Sequence, residues 1–218
     1  MIYIDIEYRI LTSEGSRILS VQTELPENQL ICISGPSGIG KTTLLRMIAG
    51  LTKPDRGIIQ VGDRIFYDSL NNISLSPQKR NIGFMFQDYA LFPNMTVEEN
   101  ISFAQNKVKD KAWVDTLIKS YGLDALRNQK PDKLSGGQKQ RTALARTLAK
   151  KADLLLLDEP LSSIDSTMRI KLQNEILKTH AVFGSTTIVV SHDQDEVNKM
   201  AQCVLYMEYD QIRLIKNS

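Results

Sequence analysis

An α/β fold built on a mostly parallel central sheet is predicted by three observations. From residue 30 onward, apolar runs of strand length alternate with helical patterns. One such run, Leu30-Ile31-Cys32-Ile33, feeds the glycine-rich stretch Gly35-Pro36-Ser37-Gly38-Ile39-Gly40-Lys41-Thr42-Thr43, which opens a helix. Another, Leu154-Leu155-Leu156-Leu157, is apolar at every position and ends in Asp158-Glu159, the pattern of a parallel strand covered on both faces. Strand, glycine loop, Lys-Thr and helix in that order predict a P-loop NTPase core of the RecA-like kind.

Each element follows in turn. Residues 1–10 alternate, with Ile2, Ile4, Ile6, Tyr8 and Ile10 on one face and Tyr3, Asp5, Glu7 and Arg9 on the other, a half-buried strand. A turn at Ser13-Glu14-Gly15-Ser16 returns the chain through Leu19, Val21, Thr23 and Leu25 as an antiparallel hairpin. The helix after the glycine loop, Leu44 to Ala49, closes at Gly50. Strands 58–61 and 64–67 meet at Gly62-Asp63, and residues 69–80 read as a polar loop. A short strand, 82–86, ends at Gln87. Residues 88–133 form a helical subdomain with no strand signal, and its first helix starts at the capping box Thr96-Val97-Glu98-Glu99. Leu134-Ser135-Gly136-Gly137-Gln138 opens a second long helix, with Leu144 and Leu148 on one side and Lys139, Arg141 and Arg146 dispersed around it. Helix 166–183, strand 186–191, helix 193–201 and hairpin 203–215 complete a single domain over residues 1–218. Residues 1–87 and 134–218 form its core, with the N-terminal hairpins as an antiparallel β layer beside it.

Composition narrows the function classes. Net charge of +2, from 27 basic and 25 acidic residues, makes no case for a nucleic-acid partner. The longest apolar run is far too short for a bilayer span, and Met1 begins a strand pattern where an export signal would need a charged and then an apolar region. Cys32 and Cys203 sit in apolar strands and read as buried free thiols. Trp113 reads as core of the helical subdomain, and His180 as a helix-terminus residue.

The chemistry lies in two motifs. Glycines of the loop turn backbone N–H groups inward around phosphate oxygens, and the helix N-terminus adds its positive end. Lys41 reaches the β- and γ-phosphates, and the Thr42 hydroxyl is placed for Mg²⁺, so the ligand is a nucleoside triphosphate. Asp158, ending the second buried strand, suits Mg²⁺ and its water shell. Its neighbour Glu159 can orient and partly deprotonate the attacking water.

With Leu134-Ser135-Gly136-Gly137-Gln138 standing between these two motifs, the chain resembles the ATP-binding cassette (ABC) ATPases from about Leu25 to Asp210. Gln87 resembles that family's Q-loop residue, Ser162-Ser163-Ile164-Asp165 its D-loop, and His192 after Ile188-Val189-Val190-Ser191 its switch histidine. The resemblance implies ATP and Mg²⁺ as ligands. It also implies a head-to-tail homodimer in which Ser135, Gly136, Gly137 and Gln138 cap the nucleotide held by the other copy's Lys41. Gln87 would touch Mg²⁺ or the attacking water, His192 the γ-phosphate together with Glu159, and Asp165 would link the two sites.

In transporter members, the apolar segment Tyr89-Ala90-Leu91-Phe92-Pro93-Asn94-Met95 lies where a membrane permease docks. A cytoplasmic ATPase on the inner face of the cell membrane, serving a permease on a separate chain, is implied. The run from Ser76 to Pro93 looks most like importers of molybdate and sulfate. A C-terminal regulatory domain, carried by many of those, is not expected in a chain that stops at Ser218. Exporters and lipoprotein-release systems remain alternatives, as does a soluble clamp ATPase. Where the family usually stacks adenine on an aromatic residue after its first strand, residues 11–17 carry none. Leu11, Arg17 or the Tyr3 face is then left to receive the base, and tight adenine selectivity is not implied.

Overall fold

Alternation at the N-terminus becomes β1 (Ile2–Thr12), paired antiparallel with β2 (Gly15–Leu25) from Ile2↔Leu25 to Thr12↔Gly15. Ile2, Ile4 and Ile6 are buried, and Tyr8 and Ile10 are half-buried against the same core. The computed structural model describes residues 1–12, 15–105, 109–162, 164–209 and 211–216, so Ser13 and Glu14 of the expected turn lie outside the described residues. The chain continues through β3 (Leu30–Ser34), α1 (Lys41–Ala49), β4 (Arg56–Val61), β5 (Arg64–Asp68), β6 (Ile73–Ser74) and β7 (Ile82–Met85). Helices α2 (Val97–Phe103), α3 (Lys111–Ser120) and α4 (Gly136–Ala149) follow. Then come β8 (Leu154–Asp158), α5 (Ser166–Phe183), β9 (Thr186–Val190), α6 (Gln194–Met200), β10 (Cys203–Met207) and β11 (Ile212–Lys216).

Two sheets result. The antiparallel one has order β2-β1-β4-β5-β6, and the larger one β11-β10-β3-β9-β8-β7. In the larger sheet β10, β3, β9, β8 and β7 are parallel and β11 is antiparallel at the edge. The parallel strands are largely apolar because both of their faces are covered. Leu154 and Leu156 pack with α1 and the antiparallel sheet, whereas Leu155 and Leu157 pack with the helices opposite. Ile31 and Ile33 divide from Leu30 and Cys32 in the same way. Helix α1 is thus sandwiched between the two sheets, and its N-terminus emerges at the carboxyl ends of the parallel strands, where such folds bind ligands.

Residues 69–80 are more than the polar loop the sequence suggests. Ile73–Ser74 adds a two-residue strand to the antiparallel sheet, and Pro77–Lys79 forms a 3₁₀ turn. The segment ends in Arg80, which is only 3% exposed. Its guanidinium donates to Met47 O (2.9 Å), Ile48 O (2.7 Å), Leu75 O (2.8 Å) and Phe66 O (3.1 Å). It therefore satisfies the C-terminal carbonyls of the helix whose other end begins the phosphate loop.

Between residues 88 and 133 the described regular structure is helical: α2, α3 and 3₁₀ turns at Asp124–Leu126 and Pro131–Lys133. Thr96 caps α2 with the expected reciprocal bonds to Glu99, an arrangement worth about 1 kcal/mol. Trp113 is half-buried rather than internal to that segment: its ring meets Phe183 of α5 edge-on at 5.3 Å, joining α3 to the layer beside the sheet. Arg146 is not dispersed on a wet helix face either. It is 8% exposed, and its guanidinium holds Tyr89 O and Ala90 O, both at 2.7 Å. Those two residues have positive φ, 65° and 40°, and the arginine ties down both of their carbonyls. Both cysteines are buried and free.

Candidate nucleotide site

The loop from Gly35 to Gly40 owes its shape to glycine at two places. A Cβ on Gly35 would stand 2.1 Å from Met207 O, and Gly40, which caps α1, has φ +113°. Among the described residues no side chain caps α1, and Gly40, Lys41, Thr42 and Thr43 of its first turn line the hollow above the loop. Lys41, 5% exposed, curls its ammonium onto Gly35 O and Pro36 O at 2.8 Å each. Burial pulls its pKa below the usual lysine value, and the Glu159 and Asp158 carboxylates pull the other way.

Asp158 closes β8 at 2% exposure and accepts a hydrogen bond from Thr42 Oγ1 at 3.0 Å. Burial raises its pKa and Glu159 adds to the rise; the Thr42 bond, Arg46 and Lys41 oppose it. Glu159 has φ +49°, a left-handed conformation that costs a non-glycine residue about 1–3 kcal/mol. The surroundings impose it. Glu159 N donates to Val190 O at 3.1 Å, while Glu159 O accepts from Ser162 Oγ at 3.2 Å and Gln140 Nε2 at 3.3 Å. The twist turns the side chain toward β9, where His192 Nε2 lies 2.8 Å from Oε1 and Gln87 Nε2 donates to Oε2 at 3.4 Å.

A hollow of about 520 Å³ gathers these groups. Ser37, Gly38, Gly40, Lys41, Thr42 and Thr43 line it from the loop, Gln87, Glu159 and His192 from the strand ends, and Ile10 and Leu11 from β1. Asp158 reaches a neighbouring depression that shares Thr42 and Gln87. Gly35 and Pro36 lie beneath, as acceptors for Lys41. Ile39 is a correction to the expectation for the loop: its side chain is 1% exposed in the core, so only its backbone can serve a ligand. Of the three places left for a base, Leu11 lines the hollow. Arg17 instead donates to Gly38 O (3.3 Å) and Ile39 O (2.9 Å), bracing the loop from outside. Tyr3 bonds Asp5 at 3.4 Å at the far end of β1.

The donor set fits a triphosphate with a hard divalent cation. Backbone amides and an ammonium suit phosphate oxygens. A hydroxyl beside a buried carboxylate offers two oxygens and leaves the rest of an octahedral shell to water and phosphate, as Mg²⁺ prefers. Among the described residues no group of three His, Cys, Asp or Glu could hold a metal by itself.

Ser135, Gly136, Gly137 and Gln138 stand apart from this hollow. Ser135 caps α4, donating N–H to Gln138 Oε1 at 2.8 Å and accepting from Gln138 N at 3.4 Å; Ser135 and Gly136 are exposed. Asp165 caps α5, accepting from Met168 N at 3.0 Å, and Ser163 lies outside the described residues. Gln140 is a functional neighbour the sequence reading passed over: fully buried on α4, it ties that helix to the Glu159 carbonyl. Its spacing of four and seven residues from buried Leu144 and Thr147 was the available signal.

A P-loop core that presents a second capped helix away from its own phosphate loop is the architecture of an ATP-binding cassette. The family model described as ABC transporter matches residues 18–162, and the chain belongs to that family. It is 40% identical over 199 residues to a trehalose/maltose import ATP-binding protein of Thermococcus litoralis, covering 89% of this chain and 54% of the relative. It is 44% identical over 190 residues to a sulfate/thiosulfate import ATP-binding protein of Chromobacterium violaceum, covering 85% of this chain and 50% of the relative. The chain therefore spans about half the length of these curated relatives. In three dimensions it matches the dimeric post-hydrolysis state of the ATP-binding cassette MJ0796 bound to ADP and Pi. That match has a TM-score of 0.84 and 27% identity, and covers 99% of this chain and 98% of that one.

Proposed function

We propose that the chain is the ATP-hydrolysing subunit of an import transporter, working as a head-to-tail homodimer on a separate membrane permease. The observation that carries the reading is the Glu159 carboxylate held 2.8 Å from His192 Nε2 beside the phosphate loop. Lys41, the loop amides and α1 would hold the phosphates, and Thr42, Asp158 and Gln87 the Mg²⁺ and its water. When bound, Mg²⁺ would neutralise charge on the β- and γ-phosphate oxygens. Glu159 accepts a proton from the attacking water, and His192 fixes the carboxylate and reaches the γ-phosphate; Gln87 orients the same carboxylate from the other side. Ser135 and the Gly136 and Gly137 amides would close the site of the second copy, with Asp165 at the contact between the two.

On this reading the permease would dock at residues 89–95. Tyr89 and Leu91 pack on the core. Phe92 meets Phe103 edge-on at 4.6 Å above an apolar groove of about 460 Å³, whose walls also include Phe84, Phe86 and Arg146. Phe103 is 55% exposed there. No helix among the described residues is long and apolar enough to cross a membrane. Both named relatives are import proteins, one for sulfate/thiosulfate and one for sugars. The sulfate/thiosulfate relative supports an oxyanion cargo for this chain.

Glu159→Gln tests the site. Turnover should fall by about 10²–10⁴-fold while ATP affinity stays unchanged and an ATP-bound dimer accumulates. Hydrolysis at the normal rate would remove Glu159 from its role.

A further inference from the structure

Behind Glu159 and His192 lies a second hollow of about 350 Å³ whose wall is charged. Its centre is Arg169, in the first turn of α5, a residue with no part in the reading above. Nη2 donates to Ile164 O at 3.1 Å, Nη1 to Asp193 Oδ2 at 3.0 Å, and Nε lies 3.7 Å from Glu196 Oε1. Nε is buried with no hydrogen-bond partner among the described residues, and the two Nη bonds hold the guanidinium between these groups.

The acceptors form a closed unit around His192. Glu196, 4% exposed, accepts from Ser191 Oγ at 2.7 Å, and Ser191 Oγ accepts from Asp193 N at 3.1 Å. Asp193 Oδ1 takes the amides of Asp195 (2.9 Å) and Glu196 (3.3 Å), capping α6. Ser191 and Asp193 are thereby locked on either side of His192, whose own side chain is 47% exposed and contacts Glu159. Ile164 lies five residues beyond Glu159 in the turn leading to α5. One planar fork thus joins the segment after the carboxylate to the segment that carries the histidine.

We propose that Arg169 is a positioning residue for the reaction: by tying Ile164 to Asp193 it fixes His192 in register with Glu159. The proposal rests on the assignment of Glu159 and His192 to the reaction. A lysine in its place keeps the charge but cannot reach both anchors with the same geometry.

The test uses the full chain with Mg·ATP, reading kcat and KM, affinity for the fluorescent analogue TNP-ATP, and the unfolding midpoint. Arg169→Met should lower kcat by about 10–100-fold, the scale of a small misplacement of reacting groups. KM and TNP-ATP affinity should change by less than about 2-fold, and Arg169→Lys should fall between. Because the arginine acts through the histidine, Arg169→Met/His192→Ala should be no slower than His192→Ala alone. Losses that multiply in the double variant would overturn the proposal, as would a near-normal kcat for Arg169→Met beside an inactive His192→Ala. His192→Ala at the normal rate would overturn the assignment beneath it and the proposal together. If Arg169→Met does not fold, Asp193→Asn cuts the same link from the other side. A kcat loss at retained TNP-ATP affinity then supports the clamp, and an unaltered kcat overturns it.

Discussion

Two helix N-termini in this chain carry glycine in the first positions and are finished differently. Helix α1 starts at a glycine and has no side-chain cap, and around its first turn stand an ammonium, a Mg²⁺-type oxygen pair and the His192–Glu159 contact. Helix α4 starts at Ser135, sealed by a reciprocal bond pair with Gln138, and it faces outward with none of those groups beside it. The first end is built to hold an anion unaided. On the proposed reading, the second would present its hydroxyl and amides to the other copy's nucleotide. The proposed reading, a reaction centre divided between copies, would explain why one copy needs another.

The most severe break in that comparison is Ser135→Arg. A bulky cation on the exposed end of α4 should lower turnover by more than about 10³-fold, beyond the loss from removing one positioned donor, while monomeric ATP affinity is untouched. Steady-state hydrolysis beside equilibrium binding checks it, and surviving turnover would mean the second end is not part of the site.

Asp158→Asn sharpens the contrast from the α1 side with a smaller, two-part effect. Turnover should drop because the Mg²⁺ oxygen loses its charge. Stability of the nucleotide-free chain should rise, because burial raises the Asp158 pKa above the ordinary carboxylate value. Such a group binds its proton more tightly when folded, so its ionised form opposes folding at every pH above the folded value. The variant should therefore melt higher near pH 7.5, with the gain vanishing as pH falls through the carboxylate range. Thermal melts across pH would contradict this if the gain persisted in acid.

Much of this was readable from the chain alone. An apolar strand ending in carboxylates, glycines before Lys41 and capping boxes at Thr96 and Ser135 are local signals, and each corresponds to an observed element. Arg80, Arg146, Gln140 and Arg169 escaped because their partners are backbone carbonyls or acids brought near only by folding. Arg80 meets the end of α1, and Arg146 the turn at Tyr89 and Ala90. A lone arginine in a polar stretch reads as solvated surface, since burying it costs more than its pattern reveals. Strand β6 escaped for another reason: two residues are too few to show alternation. Asp165 was legible as a motif residue, but its side chain caps α5 within its own chain.

The divided site is tested most directly by measuring hydrolysis per chain as the protein is diluted, with sedimentation of the same samples in Mg·ATP. Specific activity should fall in step with the dimer fraction and vanish where only single copies sediment. Constant specific activity in samples that sediment wholly as monomer would contradict it.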